Sequence, residues 1–262
     1  MMVRTLSIIV LAAILAVGLG SAPRAQAAEQ SKPATPAAGP FSTQQQQAIE
    51  DIVKRYILEN PEIIVDAVRA MRERQEREQQ ARQRSQLLSL KDRIANDPLS
   101  PIGGNAKGDV TVVEFFDYRC GFCKRAFPAI KQLLGEDTGI RYVYKEFPIL
   151  GDESVFASRA AVAAWLTTPK RYDAFHDALM ETRGALPAGK VMKIAADAGL
   201  DPKVLRKAMD DPRVDQALTA NAELARAIGV NGTPAFIIGD ELAPGAIDLA
   251  TMKRMVAQAR GS

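Results

Sequence analysis

The chain has 262 residues, 47% of them hydrophobic and 25% charged, which is enough for one full domain and something smaller. Its formal charge of +3 falls to +1 without residues 1–27, which carry Arg4 and Arg24 and no acid. So even a balance, with no concentrated basic face, leaves no basis for a nucleic-acid partner.

Residues 1–27 read as a secretory leader. Arg4 supplies a short positive region, and the apolar core Leu6–Leu19 is shorter than the roughly 20 residues a spanning helix needs. Ala25-Gln26-Ala27 is a small-x-small cleavage site, with the cut expected before Ala28. No Cys follows the core, so a lipoprotein anchor is not indicated. The expected compartment is extracytoplasmic and oxidising. Residues 28–40, rich in Ala, Pro, Ser and Gly, read as a disordered linker.

Helical structure is expected from Phe41, with Ser42 and Thr43 as N-cap candidates. Ile49, Ile52, Val53, Tyr56 and Ile57 recur at helical spacing on one stripe. Asn60-Pro61 ends that helix and opens the next, with Asn60 as cap and Pro61 at the first helical position. Ile63, Ile64, Ala67, Val68 and Met71 form a second stripe. Two short helices cannot bury such stripes on one another and stand alone. Residues 41–71 either dock on the main domain or pair with copies of themselves, and the homo-oligomer is the expected answer because the next stretch holds them away from the main domain. Arg72–Gln86 is polar on every face, with Glu73–Arg77 and Glu78–Arg82 in the favourable order for helical ion pairs, and reads as a solvated spacer helix. Leu87, Leu88, Leu90 and Ile94 restore an apolar face able to dock on the next domain. This divides the chain into a helical segment over 41–96 and a domain over 97–262.

Pro101–Asp109 reads as turns and Val110–Phe116 as a central strand. Next come Cys120-Gly121-Phe122-Cys123, the only two cysteines, at the head of a helix reaching Leu134 with Pro128 as a kink. Ile140–Phe147 reads as a second strand. Helices are expected near Ser154–Leu166, Lys170–Thr182, Ala188–Ala198, Pro202–Met209 and Pro212–Ile228. Thr233-Pro234 then leads into a strand over Ala235–Ile238. Gly239-Asp240 is a hairpin turn, Leu242-Ala243 a short return strand, and Ile247–Ala259 a closing helix.

A C-x-x-C pair at a strand-to-helix junction lies where unpaired N–H groups and the positive end of the helix dipole favour a thiolate. A thiolate is the form that attacks disulfides. A purely structural bridge would close a loop too short to remove much entropy from the unfolded chain. A zinc site wants about four Cys or His donors, and beyond this pair only His176 remains. Glu114 is a charge in a central strand and shares its face with Val112 and Phe116; an ion pair with Lys145 is the competing structural reading. His176 and Trp165 read as ordinary helical residues. Lys124 and Arg125, on the first turn, read either as support for the thiolate or as solvated charge.

The order strand, helix, strand, helical insert, strand, strand, helix resembles the thioredoxin fold, with C-x-x-C after the first strand and Thr-Pro before the third. The long insert resembles the DsbA family of secreted thiol–disulfide oxidoreductases, over Pro98 to Arg260. The carriers are Glu-Phe-Phe-Asp-Tyr-Arg-Cys-Gly-Phe-Cys (114–123), Lys-Glu-Phe-Pro (145–148) and Gly-Val-Asn-Gly-Thr-Pro-Ala-Phe (229–236). Tyr-Ile-Leu-Glu-Asn-Pro-Glu (56–62) is similar to the N-terminal segment of ScsC-type members, which are linked to copper tolerance and built as oligomers. The fold class is α/β: a thioredoxin-like fold with a helical insertion at about 152–229, preceded by an N-terminal α-helical segment.

The resemblance implies a role for each residue of the site. Cys120 is the exposed nucleophile and Cys123 the buried resolving thiol. Glu114 lies beneath the cysteines and moves the proton of the buried sulfur. Thr233-Pro234 is the cis-proline loop, with the Thr233 backbone beside Cys120 ready to pair with a substrate strand. Gly121-Phe122 lacks the His of the strongly oxidising members and is similar to the Gly-Tyr of the disulfide isomerases. Cys120 is accordingly expected to be less acidic than in the strong oxidant, with a potential between about −120 and −200 mV. The implied activity is disulfide exchange with isomerisation of cysteine-containing secreted proteins in the periplasm. It needs a membrane redox partner, reducing or quinone-linked, and no cofactor or metal. Two alternatives remain open: a dithiol oxidase of the DsbA type, and a copper-binding or copper-tolerance protein using the same thiols.

Overall fold

A computed structural model describes residues 40–261. The expected leader at 1–27 and nearly all of the expected linker at 28–40 lie outside the described residues. The chain divides into two units between Val65 and Asp66.

In the first unit, helix α1 spans Thr43–Glu59 and begins as expected. The Ser42 hydroxyl accepts from the Gln45 N–H while the Gln45 side chain accepts from the Ser42 N–H, a reciprocal capping box. α1 has no buried residue, and Ile49, Ile52, Val53 and Tyr56 are exposed. Asn60 closes α1 by donating its amide to the Tyr56 carbonyl at 2.9 Å, rather than capping the next helix.

Helix α2 spans Glu62–Ser89. The second short helix and the polar spacer expected from sequence are one element of 28 residues, about 42 Å long. Nothing between Met71 and Arg72 breaks a helix, so the change from apolar to polar composition is a change of surface only. Glu73–Arg77 and Glu78–Arg82 pair at 3.7 Å each. Both pairs are well exposed, so each contributes only a few tenths of a kcal/mol.

The second unit starts inside α2, upstream of the boundary expected at 96/97, because the end of α2 belongs to the core of the sheet domain. Leu87 of α2, and Ile94 of the short helix α3 (Lys91–Ala95), are each 2% exposed and pack with Val113, Phe115, Val143, Leu224, Ile228 and Ile237. Leu90 is partly buried there, whereas Leu88 faces solvent.

The sheet has five strands in the order β1-β3-β2-β4-β5. β2 (Val110–Phe116) and β3 (Ile140–Glu146) are parallel, and β1 (Ile102–Gly104), β4 (Ala235–Ile238) and β5 (Glu241–Pro244) are added antiparallel. β1 lies in the stretch read as turns, since its sequence is Ile-Gly-Gly. Its glycines are there for close approach: a Cβ on Gly103 would stand 2.7 Å from the Tyr144 hydroxyl, and one on Gly104 2.6 Å from the Ile140 carbonyl oxygen.

Alternation along β2 separates two cores. Val112 and Phe116 face one cluster together with Tyr142, Tyr144 and Phe236; Val113 and Phe115 face the other with Val143 and Ile237. Between β3 and β4 the insert forms α5 (Asp152–Thr167), α6 (Tyr172–Glu181), α7 (Ala188–Asp197), α8 (Pro202–Ala208) and α9 (Pro212–Ala227), and α10 (Leu249–Gly261) closes the chain. The insert and α4 (Gly121–Glu136) cover the first cluster.

Candidate active site

Cys120 is the N-cap of α4, at the junction read from sequence. Its sulfur accepts from the Cys123 N–H at 3.4 Å. The two cysteines are unbridged and unequal: Cys123 is fully buried, and Cys120 keeps 5% of its surface. The order of exposure is as expected, but Cys120 is largely covered rather than open. Its thiol donates to the Thr233 carbonyl at 3.2 Å across a cis Thr233–Pro234 bond.

The two thiols are pushed in opposite directions. The Cys123 thiol leads in lowering Cys120, opposed by burial and assisted by the Thr233 side chain and the N–H groups of Cys123 and Phe122, for a value of about 5. That is well below an ordinary thiol and above the about 3.5 of the strongest oxidant of this type. Burial pushes Cys123 far up, reinforced by its bond to Cys120 and the nearby Glu114 carboxyl.

Glu114 is 1% exposed and stands between Tyr144 and Phe236 in the register. The Tyr142 hydroxyl donates to Oε2 at 2.7 Å, while Oε1 is buried without a partner. Burial raises its pKa to about 8, opposed by the Tyr142 bond and helped by Cys120. The alternative ion pair with Lys145 does not form. Lys145 pairs with Phe115 in the register, on the opposite face, and binds Asp97 at 2.9 Å and Ser100 at 2.7 Å.

The intervening dipeptide is open. Phe122 is 59% exposed, with the Arg125 guanidinium 4.0 Å from its ring centre. Lys124 turns from the thiols and donates to the Leu179, Met180 and Thr182 carbonyls at the end of α6.

Sequence reasoning missed a buried polar knot behind the pair. The Tyr118 hydroxyl lies 2.9 Å from Glu146 and 3.0 Å from His176 Nδ1, and Ser158 and Tyr172 also donate to Glu146. Burial raises Glu146 to about 8 and lowers His176 to about 3. The signal in sequence is a second acid, Glu146, at a strand position as interior as that of Glu114. Asp117 shapes the loop: it accepts from the N–H groups of Arg119, Ile149 and Leu150 and from the Ser154 hydroxyl.

The sequence profile of the DSBA-like thioredoxin domain matches residues 111–257, and that of the copper resistance protein ScsC N-terminal domain matches residues 45–78. A thioredoxin-like oxidoreductase from Silicibacter pomeroyi is 43% identical, with a TM-score of 0.63, covering 65% of this chain and 98% of that one. Proteus mirabilis ScsC in a transitional conformation is 30% identical, with a TM-score of 0.63, over 84% of this chain and 99% of that one. Among curated relatives, the Na(+)/H(+) antiporter NhaA 3 of Salinispora tropica is 28% identical over 162 residues, 62% of this chain, and the chain spans only 25% of that protein's length. Among the described residues no helix is long and apolar enough to cross a membrane.

Proposed function

Since the chain belongs to the DsbA-like thioredoxin family and carries an ScsC-type N-terminal domain, we propose that it is a periplasmic, oligomeric thiol–disulfide exchanger acting as an isomerase on cysteine-containing secreted proteins. The observation that carries this reading is the unequal thiol pair beside the Thr233 carbonyl.

The Cys120 thiolate attacks one sulfur of a client disulfide. A bond forms between Cys120 and that sulfur, and the other client sulfur leaves as a thiolate. In isomerisation, a client thiolate attacks a different client sulfur or the mixed disulfide. Cys120 is released as a thiolate, with no net change of oxidation. In the escape route, Cys123 gives its proton to Glu114 and attacks Cys120. The Cys120–Cys123 bond forms, the client thiolate leaves, and two electrons pass to the client. Mixed-disulfide formation removes the Cys120 charge that helped to raise Glu114. The carboxyl then ionises more readily, at the step where a base is required.

Gly121-Phe122 and a Cys120 pKa of about 5 support a moderately poised exchanger over a strong oxidant. The leader read at 1–27 supports the periplasm, and the apolar stripes over 41–71 support assembly of several copies. A membrane redox partner, reducing or quinone-linked, would restore the working state. The test is the redox state of the pair in cells, trapped with an alkylating reagent. A mostly reduced pair is expected; a mostly oxidised pair gives the dithiol oxidase reading instead.

A copper reading has one observation behind it, the copper-resistance description of the N-terminal profile. Two thiolates bind Cu(I) well. Competitive Cu(I) titration of the reduced chain decides it, and an affinity no better than that of a generic dithiol removes it.

A further inference from the structure

α2 does more than link two parts of the chain. Gln83 donates its amide to the Ile228 carbonyl at 3.0 Å, just ahead of the loop that carries Thr233 and Pro234. Further on, Lys91 binds Asp240 in the β4–β5 turn at 2.7 Å. The first contact holds α2 itself, and the second holds the start of α3 just after it, against the β4–β5 side of the sheet. A trough of about 620 Å3 lies between Arg77, Gln80 and Arg84 on one wall and Asp240, Glu241 and Leu242 on the other. A second hollow of about 320 Å3 shares Gln83 and Leu242 with it and ends among Asn231, Thr233, Pro234 and Pro244. The second hollow thus adjoins the trough at Gln83 and Leu242 and reaches the loop whose Thr233 carbonyl touches Cys120.

The floor of the trough is a strand edge. β5 is the last strand in the sheet order, so its outer side meets no further strand. Ile238 pairs with Glu241 across the two-residue turn Gly239-Asp240. Antiparallel alternation from that closing pair turns the N–H and C=O of Leu242, and the C=O of Pro244, away from β4, and Leu242 lines the trough. Such an edge accepts an extended backbone largely irrespective of its sequence. The walls, cationic on α2 and acidic on the hairpin, complement peptide dipoles and mixed side chains rather than a single charge type.

We infer that this trough is a client subsite: an extended segment of the polypeptide whose cysteine is joined to Cys120 lies between α2 and β5, so that α2 is part of the substrate-binding surface. The inference rests on the disulfide-exchange reading and adds that protein clients, unlike small disulfides, use α2.

The test uses the full chain. Ala81 lines the trough from an exposed helical position, so Ala81→Trp puts an indole into it without replacing a buried residue. Gln80→Trp is a second blocking variant. Gln75→Trp, on the far side of α2 by helical geometry, is the control. Turnover is measured with glutathione disulfide and with scrambled ribonuclease A, and the mass of each variant is checked by light scattering. Both blocking variants are expected to raise KM for scrambled ribonuclease about tenfold, with kcat and the glutathione disulfide rate unchanged and Gln75→Trp behaving as wild type. Blocking variants of unchanged mass with wild-type KM on the protein would overturn the inference. Failure of the wild-type chain to react with glutathione disulfide would remove the exchange reading itself, a result visible before any variant is compared.

Discussion

Glu114 is the residue at which chemistry and cost meet. A buried carboxyl with one unpartnered oxygen is expensive to ionise, and its pKa of about 8 expresses that cost. Near neutrality it is mostly protonated, so Glu114→Gln leaves the resting charge unchanged and removes only the proposed base. Resolution of a trapped mixed disulfide should slow about 100-fold, with loss of the pH dependence that Glu114 ionisation gives the wild type, in stopped-flow measurements. Wild-type resolution in the variant would assign Glu114 a structural role. The pair also makes stability depend on redox state. Cys120 ionises near 5 when folded and has a reference value of 9.0. Its stabilisation is therefore present in full above about 9 and is lost as pH falls towards 5. Glu114 and Glu146, both raised to about 8, act with the opposite sign: their contribution is present below about 4.5 and lost as pH rises through 8. The disulfide form keeps the acids and loses the thiolate. Between pH 5 and 9 the urea midpoint of the reduced form should therefore gain on that of the oxidised form; a constant gap would contradict the low Cys120 value.

At the scale of elements, the docking of α2 rests on few side chains. Leu87→Ala should cost about 3 kcal/mol in urea unfolding, through lost transfer energy and the cavity left behind. Lys145→Met should cost a similar ~3 kcal/mol, because Asp97 would remain half-buried without its cation. The element pattern shows what the sequence can and cannot reveal. Val110–Phe116 is legible as a β-branched and aromatic run broken only by Thr111 and Glu114, Ala235–Ile238 as a continuous apolar run, and the insert helices through their Pro and Gly punctuation. β1 is not legible, since Ile102-Gly103-Gly104 has no alternation and pairs only because Tyr144 lies over the missing side chain. Glu114 and Cys123 sit on β2 and α4, and Cys120 and Thr233 come just before α4 and β4, so elements legible in the sequence set where all four lie. The Tyr118–Glu146–His176 knot joins a loop, a strand end and an insert helix, and no local periodicity links those three positions.

For the whole molecule, the stripes on α1 and early α2 set the expectation. Ile52, Val53, Tyr56, Ile64, Val65 and Met71 are each at least half exposed or close to it, and apolar surface of that extent calls for a partner. Val53→Asp, or deletion of residues 41–71, should give a monomer by light scattering that still reduces glutathione disulfide but repairs scrambled ribonuclease at least tenfold more slowly. An unchanged mass would refute assembly through this segment. The partition of the core along β2 bears on how such proteins diversify. Glu114 and the thiols lie on one side, and Leu87, Ile94 and Phe115 on the other, so neighbouring residues of one strand answer to different constraints. Substitutions confined to opposite sides of the sheet share few contacts, and their effects should add. A lineage can therefore rebuild the socket that seats α2, one alternate position at a time, and inherit the face that carries the thiols unaltered.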